Sequence, residues 1–343
     1  MLYLDDNEIK AGGKMITIND VARRAGVTIS TVSKVFNNYS GVSKDTREKV
    51  VRAAKELGYI PSKTAMELSR GVQPYIGLIV NNLSTNSAKD EYLFRLISGV
   101  QERVSEHDLD LTLFTKAQIN KKDYTYVELC KHHRLVGVIL HGIGIKDPYL
   151  KELLNSPLPC VLIDMEHKGM NTAFISTDNI NAAKDVVNLL YGKGYTKLCH
   201  ILGTADAAVT KRRKEGFLAA AAARGIVDAT IINGEFNEQV AYTNTKAALK
   251  QGVNGIFASS DIMALGAMRA ITEAGLKPGH DIGLVGFDGL TTLEYTSPSI
   301  TTVLQDFHGM GRAAVDTLLK IANNQPYDVR AHVPYKLVER ESV

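Results

Sequence analysis

A run of short polar and basic side chains near the N-terminus is well suited to contacting another macromolecule. The run ARRAGVTISTVSKVF, residues 22–36, predicts a helix, a glycine turn and a second helix beginning three residues later. The second helix should present four side chains outward near its start: Ile29, Ser30, Thr31 and Lys34. Hydroxyl and ammonium groups at such positions can reach base edges or phosphates in a DNA major groove. The spacing alone also fits a small helical bundle that binds no DNA.

The rest of the sequence offers few groups for catalysis or metal binding. It contains no Gly-x-Ser-x-Gly motif, no Walker loop and no paired catalytic carboxylates. Gly142 and Gly144 follow a predicted strand but lack the third glycine and acidic partner of a dinucleotide site. His132 and His133 lie beside Cys130 without a second ligand cluster, so we expect a structural or surface role for them. We therefore expect no enzyme, no metal site and no cofactor.

The charges of the chain are unevenly distributed. The whole sequence has a net charge of only +3, yet residues 15–73 hold ten Lys or Arg against five Asp or Glu. A basic segment attached to a nearly neutral body indicates that this segment alone meets a polyanion.

Cysteine usage and hydropathy indicate a cytoplasmic protein with no membrane association. The three cysteines are few, odd in number and widely spaced, so they predict no disulfide framework. No apolar stretch reaches the roughly 18 residues of a membrane span, and no signal-peptide pattern is present. The polar residues 1–14 are interpreted as a disordered extension.

Three short helices without strand signals are predicted over residues 17–59. Their predicted N-caps are Thr17, Thr28 and Ser43. The side chains expected to face inward from the second and third helices are Val32, Val35, Val50, Val51, Ala54 and Leu57. Residues 61–71, PSKTAMELSRG, could add about two helical turns. A helix that short is unstable alone, so a partner must order it or it remains a tether.

From Tyr75 onward, apolar strands alternate with amphipathic helices. The predicted strands are residues 76–80, 109–114, 136–142, 159–164, 197–203, 229–234, 255–260 and 282–288. Helical patterns lie between most of them, for example at 179–192, 213–224 and 261–274. This alternation indicates an α/β core of parallel sheets in two lobes. Ligands of such cores bind beyond the carboxyl ends of strands and between lobes.

The N-terminal helices resemble the helix-turn-helix DNA-binding domain of the LacI/GalR family of transcriptional regulators. The resemblance rests on TINDVARRAGVTISTVSKVFN and VSKDTREKVVRAAKELGYIPS, which match without gaps. It implies DNA contacts by Thr17, Thr28, Ile29, Ser30, Thr31, Ser33, Lys34, Asn37 and Tyr59. Ile29, Ser30 and Lys34 are at base-reading positions. An apolar Ile29 suits a thymine methyl, or is ordinary helix surface.

The same resemblance makes residues 62–70 a hinge helix. In the family, two hinge helices of a dimer enter the DNA minor groove, where a leucine wedges a base step. Leu68 matches that leucine, and Ala65 matches the position of close approach; alternatively, Leu68 packs as an ordinary linker residue. The implied organisation is an extension (1–14), a DNA-binding domain (15–60), a hinge (61–73) and a core (74–343).

The core resembles the family's periplasmic-binding-protein-like domain. The stretches FASSDIMALGAMRAITEAGLKPGHDIGLVGFDGL and TSPSITTVLQDFHGMGRAA carry the resemblance. It implies one lobe of about 75–176 with 305–335, and another of about 177–303 with a C-terminal strand in 336–343. The implied ligand contacts are Asn81, Asp164, Arg213, Phe236, Ser260, Asp288 and Phe307.

Two of these contacts have a defined chemistry. Arg213 would grip ligand oxygens and Asp288 would accept bonds from sugar hydroxyls. Ser260 stands where related sugar repressors often have Asn, so galactoside specificity is not implied. Alternatively, Asp288 caps a turn, Arg213 forms a surface ion pair as expected for its neighbour Arg212, and Phe307 is core between lobes.

Taken with the resemblance, the sequence predicts a DNA-binding regulator, expected to repress carbohydrate-utilisation genes under control of a small sugar. No leucine heptads follow Arg340, so a homodimer on an inverted-repeat operator is expected rather than a tetramer. The alternatives are a global regulator with a protein or phosphorylated-metabolite co-effector, a solute-binding protein, and an enzyme. A solute-binding protein would have no use for the basic segment of residues 15–73.

Overall fold

The computed structural model describes residues 17–36, 41–59, 75–83, 90–122 and 124–343. The chain divides into two compact units between Gln73 and Pro74. The predicted extension and hinge helix, with Asn37, Ala65 and Leu68, lie outside the described residues.

The N-terminal unit consists of three helices, as predicted. These are α1 (Ile18–Ala25), α2 (Ile29–Phe36) and α3 (Lys44–Leu57). Gly26 ends α1 with a φ of 67°, a conformation that side chains with a Cβ rarely adopt.

The predicted helix caps of this unit are confirmed. The Asp20 carboxylate accepts the Thr17 backbone N–H at 2.9 Å, as in a capping box. Thr28 Oγ1 accepts the Thr31 N–H at 3.2 Å. Ser43 Oγ accepts the Thr46 N–H at 3.3 Å. These bonds satisfy backbone donors that a helix start would leave unpaired.

One predicted core position of the N-terminal unit is wrong. Val32, Val35 and Val50 pack in its core, but Val51 is 50% exposed and Ala53 is buried instead. Val50, Ala53 and Ala54 are spaced i, i+3 and i+4 and share one face of α3, whereas Val51 points about 100° away from Val50 and faces outward.

Twelve strands form two sheets among the described residues of the second unit. Those of the first sheet are β1 (Tyr75–Val80), β2 (Asp110–Thr115), β3 (Leu135–His141), β4 (Cys160–Ile163), β5 (Thr172–Thr177) and β11 (Arg330–Val333). Those of the second are β6 (Leu198–Leu202), β7 (Thr230–Asn233), β8 (Gly255–Ala258), β9 (Gly283–Asp288), β10 (Thr301–Gln305) and β12 (Tyr335–Val338). All eight strands predicted from the apolar pattern are present; β12 is the C-terminal strand that the resemblance implied, and β5, β10 and β11 were not predicted.

The two sheets have related strand orders. The first runs β11-β5-β4-β3-β1-β2 and is parallel throughout. The second runs β12-β10-β9-β8-β6-β7, and only its edge strand β12 is antiparallel to its neighbour. The carboxyl ends of the parallel strands of each sheet therefore lie along one edge, where ligands of such sheets bind.

Helices cover both faces of each sheet. Around the first sheet lie α4 (Asp90–Glu106), α5 (Lys116–Lys122), α6 (Tyr126–His132), α7 (Leu150–Leu154) and α12 (Phe307–Ala322). Around the second lie α8 (Asn179–Gly192), α9 (Ala208–Ala223), α10 (Glu238–Leu249) and α11 (Asp261–Glu273). Helix α8 has the predicted bounds, whereas α9 begins five residues before the predicted start. None of the described helices is long and apolar enough to cross a membrane.

The chain passes between the two lobes at three points of its described part. It leaves the first sheet after β5 and enters α8 on the second. It returns after β10 into α12, whose Phe307 and Met310 pack in the hydrophobic core of the first lobe, beside the first sheet. Its last passage joins β11 to β12. We refer to the first two passages as crossover 1 (177–179) and crossover 2 (305–307).

Candidate functional site

A cavity of about 900 Å³ lies where strand ends of the two lobes face each other. The seven predicted ligand residues all line it: Asn81, Asp164, Arg213, Phe236, Ser260, Asp288 and Phe307. The folding of two separate sheets thus brings together positions spread over more than 200 residues of the sequence.

Arg213 is buried in the cavity wall and contacts several neighbouring groups. The residue is only 2% exposed, so its interpretation as a surface ion pair is wrong. Its Nε donates to Asn179 Oδ1 at 2.7 Å, and Nη1 donates to the Ser259 carbonyl oxygen at 2.5 Å. The guanidinium also lies 3.6 Å from the ring centroid of Phe287. Burial lowers the pKa of Arg213, while the carboxylate of Asp288 opposes this shift.

Asp288 faces the same cavity from the end of β9. Gln305 Nε2 donates to its Oδ1 at 2.9 Å. The 3-10 turn that follows is preceded by Leu290, not capped by Asp288, so that alternative is wrong. Burial raises the pKa of Asp288 to about 8, although the charge of Arg213 favours the ionised form.

A chain of hydrogen bonds joins Arg213 to Asp164 at the end of β4. Asn179, whose Oδ1 binds Arg213, donates from Nδ2 to Ser176 Oγ at 2.9 Å. Ser176 Oγ donates to Asp164 Oδ1 at 2.6 Å. Arg213 belongs to the second lobe and Asp164 to the first, so this network connects the two lobes at crossover 1. Asn179 and Ser176 were not predicted as site residues. Their only signal in the sequence is their position near the end of a strand, β5.

Three of the cavity residues adopt backbone conformations that are unfavourable for side chains with a Cβ. Asp164 has a φ of 58°, Phe236 of 52° and Asp288 of 130°. Such strain costs of the order of 1–3 kcal/mol at each position and is concentrated at functional sites in proteins. Asp164 directly follows β4, Asp288 is the last residue of β9, and Phe236 lies three residues after β7.

Aromatic rings form the apolar walls. Phe236 lies against Gly203, where a Cβ would be 2.0 Å from the ring carbon Cζ. Phe307 is 3% exposed, packs in the hydrophobic core of the first lobe and also lines the cavity. Tyr92, which the sequence analysis missed, places its ring centroid 4.9 Å from that of Phe307 and 5.7 Å from that of His141.

Ser260 has a structural role that the sequence analysis did not predict. Its Oγ caps α11 by accepting the Met263 N–H at 3.3 Å. Asn81 is exposed at the end of β1. His141, also missed, is buried in the wall with its Nδ1 3.4 Å from the Ile163 carbonyl oxygen; burial lowers its pKa.

An ion-pair cluster connects the lobes where Glu166, Arg212 and Arg330 line the cavity. Arg212, on α9 of the second lobe, binds both Glu166 oxygens through Nη2 at 2.9 Å. Arg330, beside Glu166 on the first lobe, forms a second ion pair with it. Arg212 thus forms an ion pair, as expected, and this pair joins the two lobes.

The histidines next to Cys130 pack against aromatic rings. The ring centroids of His132 and Tyr124 are 5.3 Å apart, and those of His133 and Phe114 are 4.9 Å apart. In the described part of the chain, no group of three or more His, Cys, Asp or Glu could hold a metal ion.

The predicted DNA-contacting residues of the N-terminal unit lie mainly on its surface. Ile29 is 49% exposed, and Thr17, Thr28, Ser30 and Lys34 are exposed as well. Thr31 and Ser33 are half-buried on α2. Tyr59 is half-buried with its ring centroid 5.9 Å from that of Phe36.

Both units match known protein families. Residues 17–62 match "Bacterial regulatory proteins, lacI family", and residues 187–343 match "Periplasmic binding protein-like domain". The ribose operon repressor of Halalkalibacterium halodurans is 31% identical over 96% of this chain and 97% of that protein. This chain belongs to the LacI family of bacterial regulatory proteins.

Further LacI-family proteins match over nearly the full length. The transcriptional regulator MalR of Clostridium butyricum is 32% identical over 95% of this chain and 99% of that protein. A crystal structure of the lac repressor dimer, bound to operator and the anti-inducer ONPF, superposes with a TM-score of 0.83. It is 27% identical and covers 96% of this chain and 99% of that one. The chain is thus a LacI-family DNA-binding regulator with a helix-turn-helix domain and a two-lobed α/β core.

Proposed function

We propose that this LacI-family protein represses carbohydrate-utilisation genes and releases its operator when a small sugar binds between the lobes of its core. The observation that carries the proposal is the cavity, in which Arg213, Asp288 and Asp164 converge within a DNA-binding protein. An arginine fork and two carboxyl groups suit the vicinal hydroxyls of a sugar, and Phe236 and Phe307 suit its apolar face.

The N-terminal unit supports operator recognition. The exposed start of α2 offers a hydroxyl, an ammonium group and an apolar side chain, a combination that reads base edges in a major groove. We propose a homodimer, because two copies related by a two-fold axis would read an inverted repeat. Since its DNA target is cytoplasmic, we propose the same location for the protein.

Selection from random DNA tests the operator claim. Full-length protein should enrich an inverted repeat, and fluorescence anisotropy should give tight binding to the enriched sequence. A panel of D-ribose, maltose, lactose and cellobiose then tests the effector claim, with weaker operator binding expected for at least one sugar. No enriched sequence would contradict DNA recognition; an enriched operator with no responsive sugar would contradict control by these sugars.

An Arg213→Lys variant tests whether the ligand acts at this cavity. Lysine keeps the charge but loses the fork, so the sugar response should weaken while operator binding without sugar persists. The melting temperature of the variant shows whether the buried site still folds. An unchanged sugar response in a folded variant would contradict action of the sugar at Arg213.

A further inference from the structure

The two crossovers are joined to each other by a buried side-chain hydrogen bond. Thr177 ends β5 where crossover 1 begins, and Gln305 ends β10 where crossover 2 begins. Thr177 Oγ1 donates to Gln305 Oε1 at 2.7 Å, and the two residues are 1% and 2% exposed. Water cannot replace this bond easily, so the relative position of the two crossovers depends on it.

The same amide group also holds a cavity residue. Gln305 Nε2 donates to Asp288 Oδ1 at 2.9 Å while its Oε1 accepts from Thr177. One side chain therefore uses a donor and an acceptor at once, which glutamine can do and an apolar residue of similar size cannot. Gln305 binds only Oδ1 of the Asp288 carboxyl. This bond orients the carboxyl group and does not occupy Oδ2.

Crossover 1 is connected to the cavity in a second way. Asn179, two residues after Thr177, accepts from Arg213 Nε at 2.7 Å. Both polar groups best placed for a ligand, Arg213 and Asp288, are thus hydrogen-bonded to crossover residues. Any change in the lobe angle must alter the backbone at the crossovers, since the lobes are covalently linked there.

We propose that Gln305 is a positioning residue that orients Asp288 for the effector and ties it to both crossovers. A ligand bound to Asp288 then favours one lobe angle, because Asp288, Gln305 and Thr177 move as a hydrogen-bonded unit. The coupling step rests on the proposed function, since it assumes an effector in the cavity. The hydrogen bond between the two crossovers does not depend on that assumption.

The first test measures the lobe angle without any ligand. Cysteines introduced on the full-length protein at Lys151 of the first lobe and Lys250 of the second carry spin labels for pulsed electron paramagnetic resonance. The three native cysteines are buried and should not react. Thr177→Val and Gln305→Met should broaden or shift the distance distribution between the labels, and Thr177→Ser should restore the parent distribution.

Thr245→Val is the matched control. Thr245 is 0% exposed and donates to the Ala241 carbonyl oxygen at 2.7 Å within α10, away from the crossovers. Like Thr177→Val, the Thr245→Val variant loses a buried threonine hydroxyl. A general effect of destabilisation on the distance distribution would therefore appear in this variant as well. Unchanged distances in Thr177→Val and Gln305→Met, or equal broadening in Thr245→Val, would overturn the proposal.

The second test measures coupling, with whichever sugar of the ribose, maltose, lactose and cellobiose panel alters operator binding. Thr177 does not line the large cavity. Thr177→Val should therefore bind that sugar within about threefold of the parent, yet the sugar-induced change in operator affinity should shrink about tenfold. Full coupling in Thr177→Val would overturn the proposal. If no sugar responds, the proposed function fails while the distance measurement still decides the role of Gln305.

Discussion

Asp288 combines three unusual features in a single residue. Its backbone lies at a φ of 130°, its half-buried carboxyl feels the charge of Arg213, and Gln305 donates to one of its oxygens. Each feature restricts where the carboxyl can point. The residue is therefore prepared to accept a hydrogen bond at a fixed place in the cavity before a ligand arrives.

The raised pKa of Asp288 predicts a specific pH dependence of stability. The carboxyl titrates near pH 4 in an unfolded chain but at about 8 in the folded protein, which therefore binds this proton more tightly. Its contribution to stability is fully present below about pH 4 and is lost as the pH rises through about 8. Urea unfolding from about pH 5 to 8 should show the parent losing stability relative to Asp288→Asn. Parallel curves for the two proteins would contradict the assignment.

Individual residues differ in how far the sequence could predict them. Resemblance placed Arg213, Asp288 and Phe236 in the cavity wall, because their types match the family pattern. It could not find Asn179 or Gln305, since their role is to hold other side chains, and such pairing leaves no periodic signal.

At the scale of elements, α2 carries the expected specificity for DNA. Lys34→Ala should weaken binding to the selected operator by about tenfold, in keeping with one lost base contact, and affect random DNA less. Lys250→Ala, an exposed lysine of the core, is the control and should leave operator binding unchanged. Equal losses on operator and random DNA in anisotropy titrations would make Lys34 a phosphate contact.

The cluster of Glu166, Arg212 and Arg330 should favour approach of the two lobes. Glu166→Gln removes the charge that both arginines share, so calorimetry should show sugar binding weakened by about two- to fivefold at low salt. High salt screens the pair, and parent and variant should then converge. Lys246→Gln breaks an ion pair within one lobe and is the matched control. An equal effect of both variants would exclude a role at the lobe boundary.

The elements themselves were largely predictable from hydrophobic patterns. All eight apolar strands and the bounds of α8 followed from periodicity. Two of the strands that the apolar pattern did not reveal are short and lie at sheet edges: β11 reads RAHV and β12 reads YKLV. Edge strands need little burial, so their pattern resembles that of loops. The α9 start was missed because AVTK precedes its apolar stripe without a clear cap.

At the scale of the whole molecule, one chain carries an N-terminal DNA-binding unit and a two-lobed α/β core. The alternation of strands and helices predicted the two-lobed core, and the basic composition of residues 15–73 predicted which unit meets DNA. How the chain crosses between lobes depends on long-range packing of α12 against the first sheet. Local sequence patterns do not contain that information; only the family resemblance implied it.

The central claim is that sugar and operator binding are thermodynamically linked. The most direct measurement is a complete cycle on the full-length protein: operator affinity with and without the responsive sugar, and sugar affinity with and without operator. The account predicts that both affinities fall by the same factor, about 5- to 150-fold for a typical coupling. If both ligands bind but neither changes the affinity for the other, sugar and operator binding are not linked and the central claim is wrong.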